Sequence, residues 1–408
     1  MYKILLVKIR WDKEIKEMDF ELNQKQKRFK EEIQRFLDKE VTEGVIQESE
    51  AGLGYGPHSW QLMRKLGERR WLAPAFPKEY GGLGLSYMYR YIVAEELDYR
   101  NALVLFRGFG LVGVDMVGPV ILRYGSDEIK GEFLPRIARG EIDLVLGYTE
   151  PDAGSDLSQI SIRAVEDGND FVITGQKTFN SACHFAQYHW LAARTDPDAS
   201  SHKGISMFIV DLETPGISIN PMWEMGDART NEVFYDGVRV PKKNLVGEKN
   251  KGWYYMTSAL DLERMITVGG LERTFNDLVA YTKDTMRNGK PMAEDPLVRE
   301  RLADLAIEIS VDRNLVRRVA WLKDKEIVPN FESAVLKLFS CELYQRLANT
   351  GLEILGLYGQ LRRGSKYAVI EGMMERFFRA SFLMTIGGGT SEIMRSIIAR
   401  RGLGLSKE

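Results

Sequence analysis

The apolar pattern of this 408-residue chain changes period twice, and that double change restricts its fold more than any other feature. From about residue 20 to 145, apolar side chains recur at helical spacing. Phe29, Ile33, Phe36 and Leu37 fall on one stripe, behind Asn23 and Gln26 spaced as a capping box. The glycine-rich stretch Glu79 to Gly84 interrupts the pattern. Helices resume through Ala94 to Leu97 and Val112 to Leu122, and Ser126 caps a segment bearing Phe133 and Leu134 that ends near Gly140. After Leu144 the helical period disappears. Short runs such as Phe171 to Thr174 and Ile205 to Val210 are separated by the turn dipeptides Asp167-Gly168, Pro215-Gly216 and Asp236-Gly237. That pattern predicts a small antiparallel sheet reaching about Val246. Beyond Gly252 the long period returns: Met256, Leu260, Glu263 and Thr267 share a stripe. Further helical segments cover about 271–288, 296–323, 330–356 and 366–383. Helices, then strands, then helices predict an α+β protein, with a helical domain at 18–145, a β domain at 146–250 and a second helical domain at 251–408. Residues 1–17 stand outside this plan and read as an upstream extension or a misassigned start.

A chain of this length suits two or three packed subdomains. Its 44% hydrophobic and 28% charged residues are those of an ordinary globular protein, and its net charge of -2 lacks the basic excess expected of a nucleic-acid binder. Cys183 and Cys341 are too far apart in sequence to suggest a disulfide framework or a zinc site, which fits a reducing, cytoplasmic setting. His184 and His189 are spaced by five in a strand-like stretch and do not read as a metal pair. The apolar run Ile4 to Val7 is too short for a secretory core. No stretch approaches the roughly 20 apolar residues of a spanning helix.

Three segments concentrate chemistry. Tyr148 to Asp156 crowds hydroxyls, carboxylates and a glycine into one loop. It suits either the approach of a polar ligand or a plain helix-to-strand connection built on Asx and Ser turns. Ile386 to Arg395 places three glycines before a Thr/Ser cap and a helix; this suits a phosphate or an ordinary capped helix. Glu263 sits within a largely apolar helical stripe, where a glutamate is paired, snorkels outward or acts as a base.

Taken in order, TEPDAGSD (149–156), GQKTFNSA (175–182), DGVRVP (236–241), LDLERM (260–265) and GGGTSEIMRSIIAR (387–400) resemble the acyl-CoA dehydrogenase family over nearly the whole chain from Met18. The resemblance implies an N-terminal helical domain, a middle antiparallel β domain and a C-terminal four-helix bundle. It implies FAD at the domain junction, a homotetramer built as a dimer of dimers, an acyl-CoA substrate and electron-transfer flavoprotein as electron acceptor. By position, Thr149 and the Tyr148 backbone would contact the flavin pyrimidine edge, and Ser155 the cofactor and thioester tail. Phe179 falls where many relatives place a tryptophan against the flavin ring, and Ser181 where a threonine approaches flavin N5. Thr390 and Glu392 match contacts to the ribityl or diphosphate part. Arg264 and Arg379 match family arginines near the active site and in the last motif.

The chain departs from the family in places. Many relatives carry the catalytic glutamate where this chain has Gly388, whereas isovaleryl- and long-chain-type members place it on the first bundle helix, at the position of Glu263. The resemblance therefore implies Glu263 as base, with the Gly388 amide as a donor to the thioester oxygen. The family's Arg-x-x-Phe-Gly element, which grips a neighbouring subunit's FAD, reads Thr285 to Gly289 here, with Arg287 as the substitute, and a Gly-Gly pair reads Gly356-Leu357. Arg107 falls near the acyl-tail end, where it would either receive a terminal carboxylate or serve as a structural arginine. Two rival readings share the scaffold: an oxygen-using acyl-CoA oxidase, and a non-catalytic or partner-dependent subunit of a heteromer.

Overall fold

In the computed structural model the described residues are 20–50, 56–102, 111–263, 267–325, 327, 329 and 331–406, with the backbone alone for Asp261 and Glu263. The first region contains helices α1 (Gln24–Glu40), α2 (Glu43–Glu50), α3 (Pro57–Glu68), α4 (Tyr87–Tyr99), α5 (Gly118–Tyr124) and α6 (Asp127–Ala138). The expected capping box opens α1, with the Asn23 side chain accepting from the Gln26 amide and Gln26 reaching back to the Asn23 amide. Ser126 likewise caps α6 by accepting from the Ile129 amide. Before α5 the backbone widens into a π-turn at Gly113–Val117. The buried Arg90 of α4 grips this turn through a two-pronged contact to Asp115, with both N···O distances 2.6 Å. Val112 and Met116 are thereby held at the domain junction.

The middle region is a sheet of β1 (Leu144–Gly147), β2 (Arg163–Asp167), β3 (Asp170–Lys177), β4 (Tyr188–Arg194), β5 (Ile205–Asp211), β6 (Ile217–Trp223), β7 (Arg229–Pro241) and β8 (Leu245–Val246). The order across it is β6-β7-β3-β2-β4-β5-β8, with β1 beside β4. Two sequence expectations need correction here. The sheet is not purely antiparallel: β1 runs parallel to β4, because it enters from α6 rather than from a hairpin. Asp236-Gly237 does not turn the chain. It forms a bulge inside β7, where pairing shifts from Ile173–Val238 to Gly175–Tyr235 and the Gly237 amide donates to the Thr174 hydroxyl. Glycine takes φ +62 there, which an L side chain adopts only with strain.

The last region holds α7 (Gly252–Glu263), α8 (Gly269–Asp284), a short hairpin β9 (Met286–Arg287) and β10 (Lys290–Pro291), then α9 (Pro296–Asp324), α10 (Glu332–Leu355), α11 (Met373–Met384) and α12 (Ser391–Ile397). Residues 366–372 do not join the helix expected there. Ile370, Glu371 and Gly372 all have positive φ, so α11 begins only at Met373. Helix α7 buries Tyr255, Met256 and Ala259 and packs on β5 and the π-turn, which joins the three regions. Together they form an α+β protein of the architecture expected.

One buried ion pair fastens the sheet to the loop that follows β1. Lys177, fully buried at the end of β3, donates to the Tyr148 carbonyl and to Glu150, both at 2.8 Å. Glu150 also accepts from the Ser161 amide and hydroxyl and the Ile162 amide, so its charge is well solvated by protein groups. Burial outweighs the attraction of Glu150 and brings the Lys177 ammonium down to about 8. Lys177→Met leaves a buried carboxylate without its cation. We expect a loss of about 3–5 kcal/mol, read as a lower urea midpoint; an unchanged midpoint would mean the pair contributes nothing.

Candidate active site

A cavity of about 640 Å³ opens where the three regions meet. Val112 and Met116 line it from the π-turn and the residue before it, Tyr148, Thr149, Ser155 and Phe179 to Ser181 from the sheet side, and Leu260, Arg379, Phe382 and Ile386 to Thr390 from the last region. Of the residues singled out from sequence, the structure brings together Tyr148, Thr149, Ser155, Phe179, Ser181, Gly388 and Thr390 in its wall.

The sheet side is held by backbone bonds. The Thr178 amide donates to the Thr149 carbonyl at 2.9 Å, and the Asn180 amide to the Asn231 carbonyl at 2.9 Å. Phe179 lies between these two fixed points at φ +55, a left-handed conformation that strains a bulky residue. The residue is 56% exposed, at the cavity. Asn180 was not singled out from sequence. Its amide nitrogen donates to the carbonyls of Leu146 and Thr178, while its buried carbonyl oxygen has no hydrogen-bond partner. Tyr148 is placed by its hydroxyl, which accepts from the Trp190 indole at 2.9 Å.

The opposite wall is bare backbone at Gly387, Gly388 and Gly389. Gly388 and Gly389 take φ +68 and +103, and Thr390 spends its hydroxyl oxygen capping α12 through the Ile393 amide. A sequence pattern of three glycines signals freedom of backbone but not what holds it. Here Lys337 of α10 does, donating from Nζ to the Gly389 carbonyl. Arg379 lines the cavity as a clamp: it binds Glu375 on its own helix and Asp227 in the β6–β7 turn. Glu224, in the same turn, is a carboxyl at the cavity that sequence reading missed; burial raises it above its ordinary value.

Several expected residues lie elsewhere. Glu392 is exposed on α12 and does not line the cavity; its own backbone amide and then the Thr390 side chain hold its carboxylate below the usual range. Arg287 and Gly356 lie together at the far end of α10, where Arg287 donates to the Ile354 carbonyl at 2.7 Å. Gly356 stands 19 residues beyond Lys337, roughly 28 Å along the helix at 1.5 Å per residue. Neither reaches the cavity of its own chain. Arg264 and Arg107, and the Glu263 side chain, lie outside the described residues; the Glu263 backbone closes α7 one turn after Leu260. Among the described residues no group of His, Cys, Asp and Glu could hold a metal ion, and no helix is long and apolar enough to cross a membrane.

Family models for the acyl-CoA dehydrogenase N-terminal, middle and C-terminal domains match residues 23–141, 145–238 and 250–403 in series. Acyl-CoA dehydrogenase FadE26 of Mycobacterium tuberculosis is 37% identical over 366 residues, covering 87% of this chain and 90% of that protein. The chain belongs to the acyl-CoA dehydrogenase family. It is an oxidoreductase of that kind, and the family's members depend on FAD. Among solved structures, the Tcur3481–Tcur3483 steroid ACAD is 34% identical with a TM-score of 0.87, covering 96% of this chain and 100% of that one. The ChsE4–ChsE5 complex from Mycobacterium tuberculosis is 32% identical with the same TM-score and the same coverage.

Removing the Asn180 amide tests how this dehydrogenase fixes its sheet-side wall. Asn180→Ala unmakes bonds to two carbonyls and should cost about 1–3 kcal/mol, seen as a lower Tm. An unaltered Tm would show that the wall is held by other contacts.

Proposed function

We propose that the cavity binds FAD and an acyl-CoA thioester side by side, and that the chain dehydrogenates the thioester between its α and β carbons to the trans-2-enoyl product. The observation that carries this reading is the pairing of two elements at one cavity. Leu260 lines it one helical turn before Glu263, and the side-chain-free Gly388 lines it as well.

The described wall fits a flavin. The unpartnered Asn180 oxygen, the Thr149 and Ser181 hydroxyls and the exposed Phe179 ring give a polar edge beside an apolar face. Tyr148, Thr149, Ser155, Phe179, Ser181 and Thr390 would hold the cofactor, which when bound supplies the hydride acceptor; Glu392, outside the cavity wall, would meet only a part of it that extends beyond that wall. Arg287 and Gly356, far from their own cavity, would contact the cofactor of a second subunit in a homotetramer. Glu263 takes the α-proton. A carboxylate stripped of water by the substrate is a stronger base, and the Gly388 amide receives the negative charge that develops on the thioester oxygen. A fixed donor in a dry site is worth several kcal/mol. Ser155 and Arg264 would position the thioester, and Arg107 its acyl tail. Electrons then leave to electron-transfer flavoprotein, in the cytoplasm.

The substrate reading follows from the bare wall. With no side chain at residues 387–389 and with Val112, Met116, Leu260 and Phe382 around it, the cavity suits a bulky apolar acyl group. That is the substrate class named by the similar steroid ACAD. A second reading, a heteromer, is favoured by the altered Thr285–Gly289 and Leu357 positions. Two of the similar structures also carry two chain names each. Native mass spectrometry of the chain expressed alone separates them: a tetramer carrying four flavins supports the homomer, a flavin-free monomer or dimer the heteromer.

Anaerobic mixing with acyl-CoA should bleach the flavin of the wild-type enzyme. Glu263→Gln is expected to abolish bleaching, by a factor above about 10³, while keeping the protein yellow. Glu224→Gln, which alters the other cavity carboxyl, should bleach normally. The reverse result would transfer the base role to Glu224. Turnover that consumes oxygen without an added acceptor would favour the oxidase reading instead.

A further inference from the structure

The loop from Thr385 to Ser391 is closed at its ends by backbone bonds. The Gly387 amide donates to the Leu383 carbonyl at 2.9 Å, and the Ser391 amide to the Thr385 carbonyl at 3.0 Å. Between them Gly388 and Gly389 have no side chain to lock φ and ψ, so their peptide planes are oriented by whatever grips them from outside. The space beneath Gly389 is tight: a Cβ there would lie 2.7 Å from the Met394 methyl.

Lys337 supplies the grip. It sits in the second turn of α10, its side chain is fully buried, and its ammonium donates to the Gly389 carbonyl. A hydrogen bond from a charged donor is roughly twice as strong as a neutral one, and a buried helix is a rigid mount. An amide that must meet a developing oxyanion is effective only if its direction is fixed before the reaction.

We infer that Lys337 is a positioning residue for the dehydrogenation: by holding the Gly389 carbonyl it pins one end of the Gly388–Gly389 stretch, whose other end is pinned through the Gly387 amide, and the two anchors together restrict the direction of the Gly388 amide toward the thioester oxygen. The inference rests on the role given to Gly388 above. It assigns the ammonium no contact with substrate; it acts through the loop.

The test uses flavin-loaded Lys337→Met and Lys337→Gln with a 3-ketoacyl-CoA, whose α-proton is acidic enough to be lost without turnover. The absorbance of the bound enolate, followed against pH, reports how well the site stabilises that oxygen. In Lys337→Met the bound ligand should become about tenfold less acidic or more, a shift of about one pH unit. The kcat should fall at least about tenfold, short of the 10²–10³ lost with a whole donor, while KM moves less than about threefold. Lys337→Gln keeps a neutral donor and should fall between, so either variant alone decides. An unchanged enolate titration, or a loss confined to KM or to flavin content, would overturn the inference. Glu263→Gln measured alongside separates the two ideas. If that variant bleaches normally the base assignment fails, yet the enolate titration still reads Lys337.

Discussion

The buried contact between Lys177 and Glu150 is the interaction on which the cavity depends. Its ammonium meets the Tyr148 carbonyl, and its carboxylate gathers the amides of Ser161 and Ile162. One pair thus ties the end of β3, the loop after β1 and the entry to β2 into a single block. The parallel placement of β1 beside β4 delivers Tyr148 and Thr149 to that block. A buried ion pair is a weak source of net stability against an apolar substitute, but a strong specifier once its partners are built in. The loop cannot shift without stranding a charge.

The chemistry is divided between two kinds of support. The sheet side carries side chains and pays for their placement with strain, most visibly in Phe179 at φ +55. The opposite wall presents bare peptide groups at Gly387 to Gly389, held by a lysine from another helix, among the side chains of Leu260, Arg379 and Phe382. In the proposed arrangement, with Glu263 of α7 as the base, the glycine loop is left free to serve as a donor, and its lack of side chains leaves room for a wide acyl group.

The fold was largely legible because its signals are local. The Asn23–Gln26 capping box, the Ser126 cap and the Asp167-Gly168 turn each act within a few residues. Asp236-Gly237 was misread for the same reason. Its composition is that of a turn, and only the cross-strand register against Ile173 and Gly175 makes it a bulge. Residues 366–372 carry helical spacing, but the backbone turns left-handed at Ile370 to Gly372, where Gly372 is packed so closely that a Cβ would meet the Arg363 amide at 2.4 Å. In the site, the motifs marked Thr149, Ser155, Phe179, Ser181, Gly388 and Thr390, all of which line the cavity. Asn180, Glu224 and Lys337 were not legible. Their roles come from what is left unpaired, half-buried or brought near from 52 residues away in sequence, as Lys337 is to Gly389.

The identity of the base depends on which carboxyl faces the thioester. A crystal structure of the flavin-loaded enzyme with a non-reactive acyl-CoA analogue measures this directly. The arrangement proposed here requires a Glu263 oxygen within roughly 3.5 Å of the α carbon, with the thioester oxygen on the Gly388 amide. A Glu263 side chain turned to bulk water while flavin and ligand occupy the cavity would contradict it.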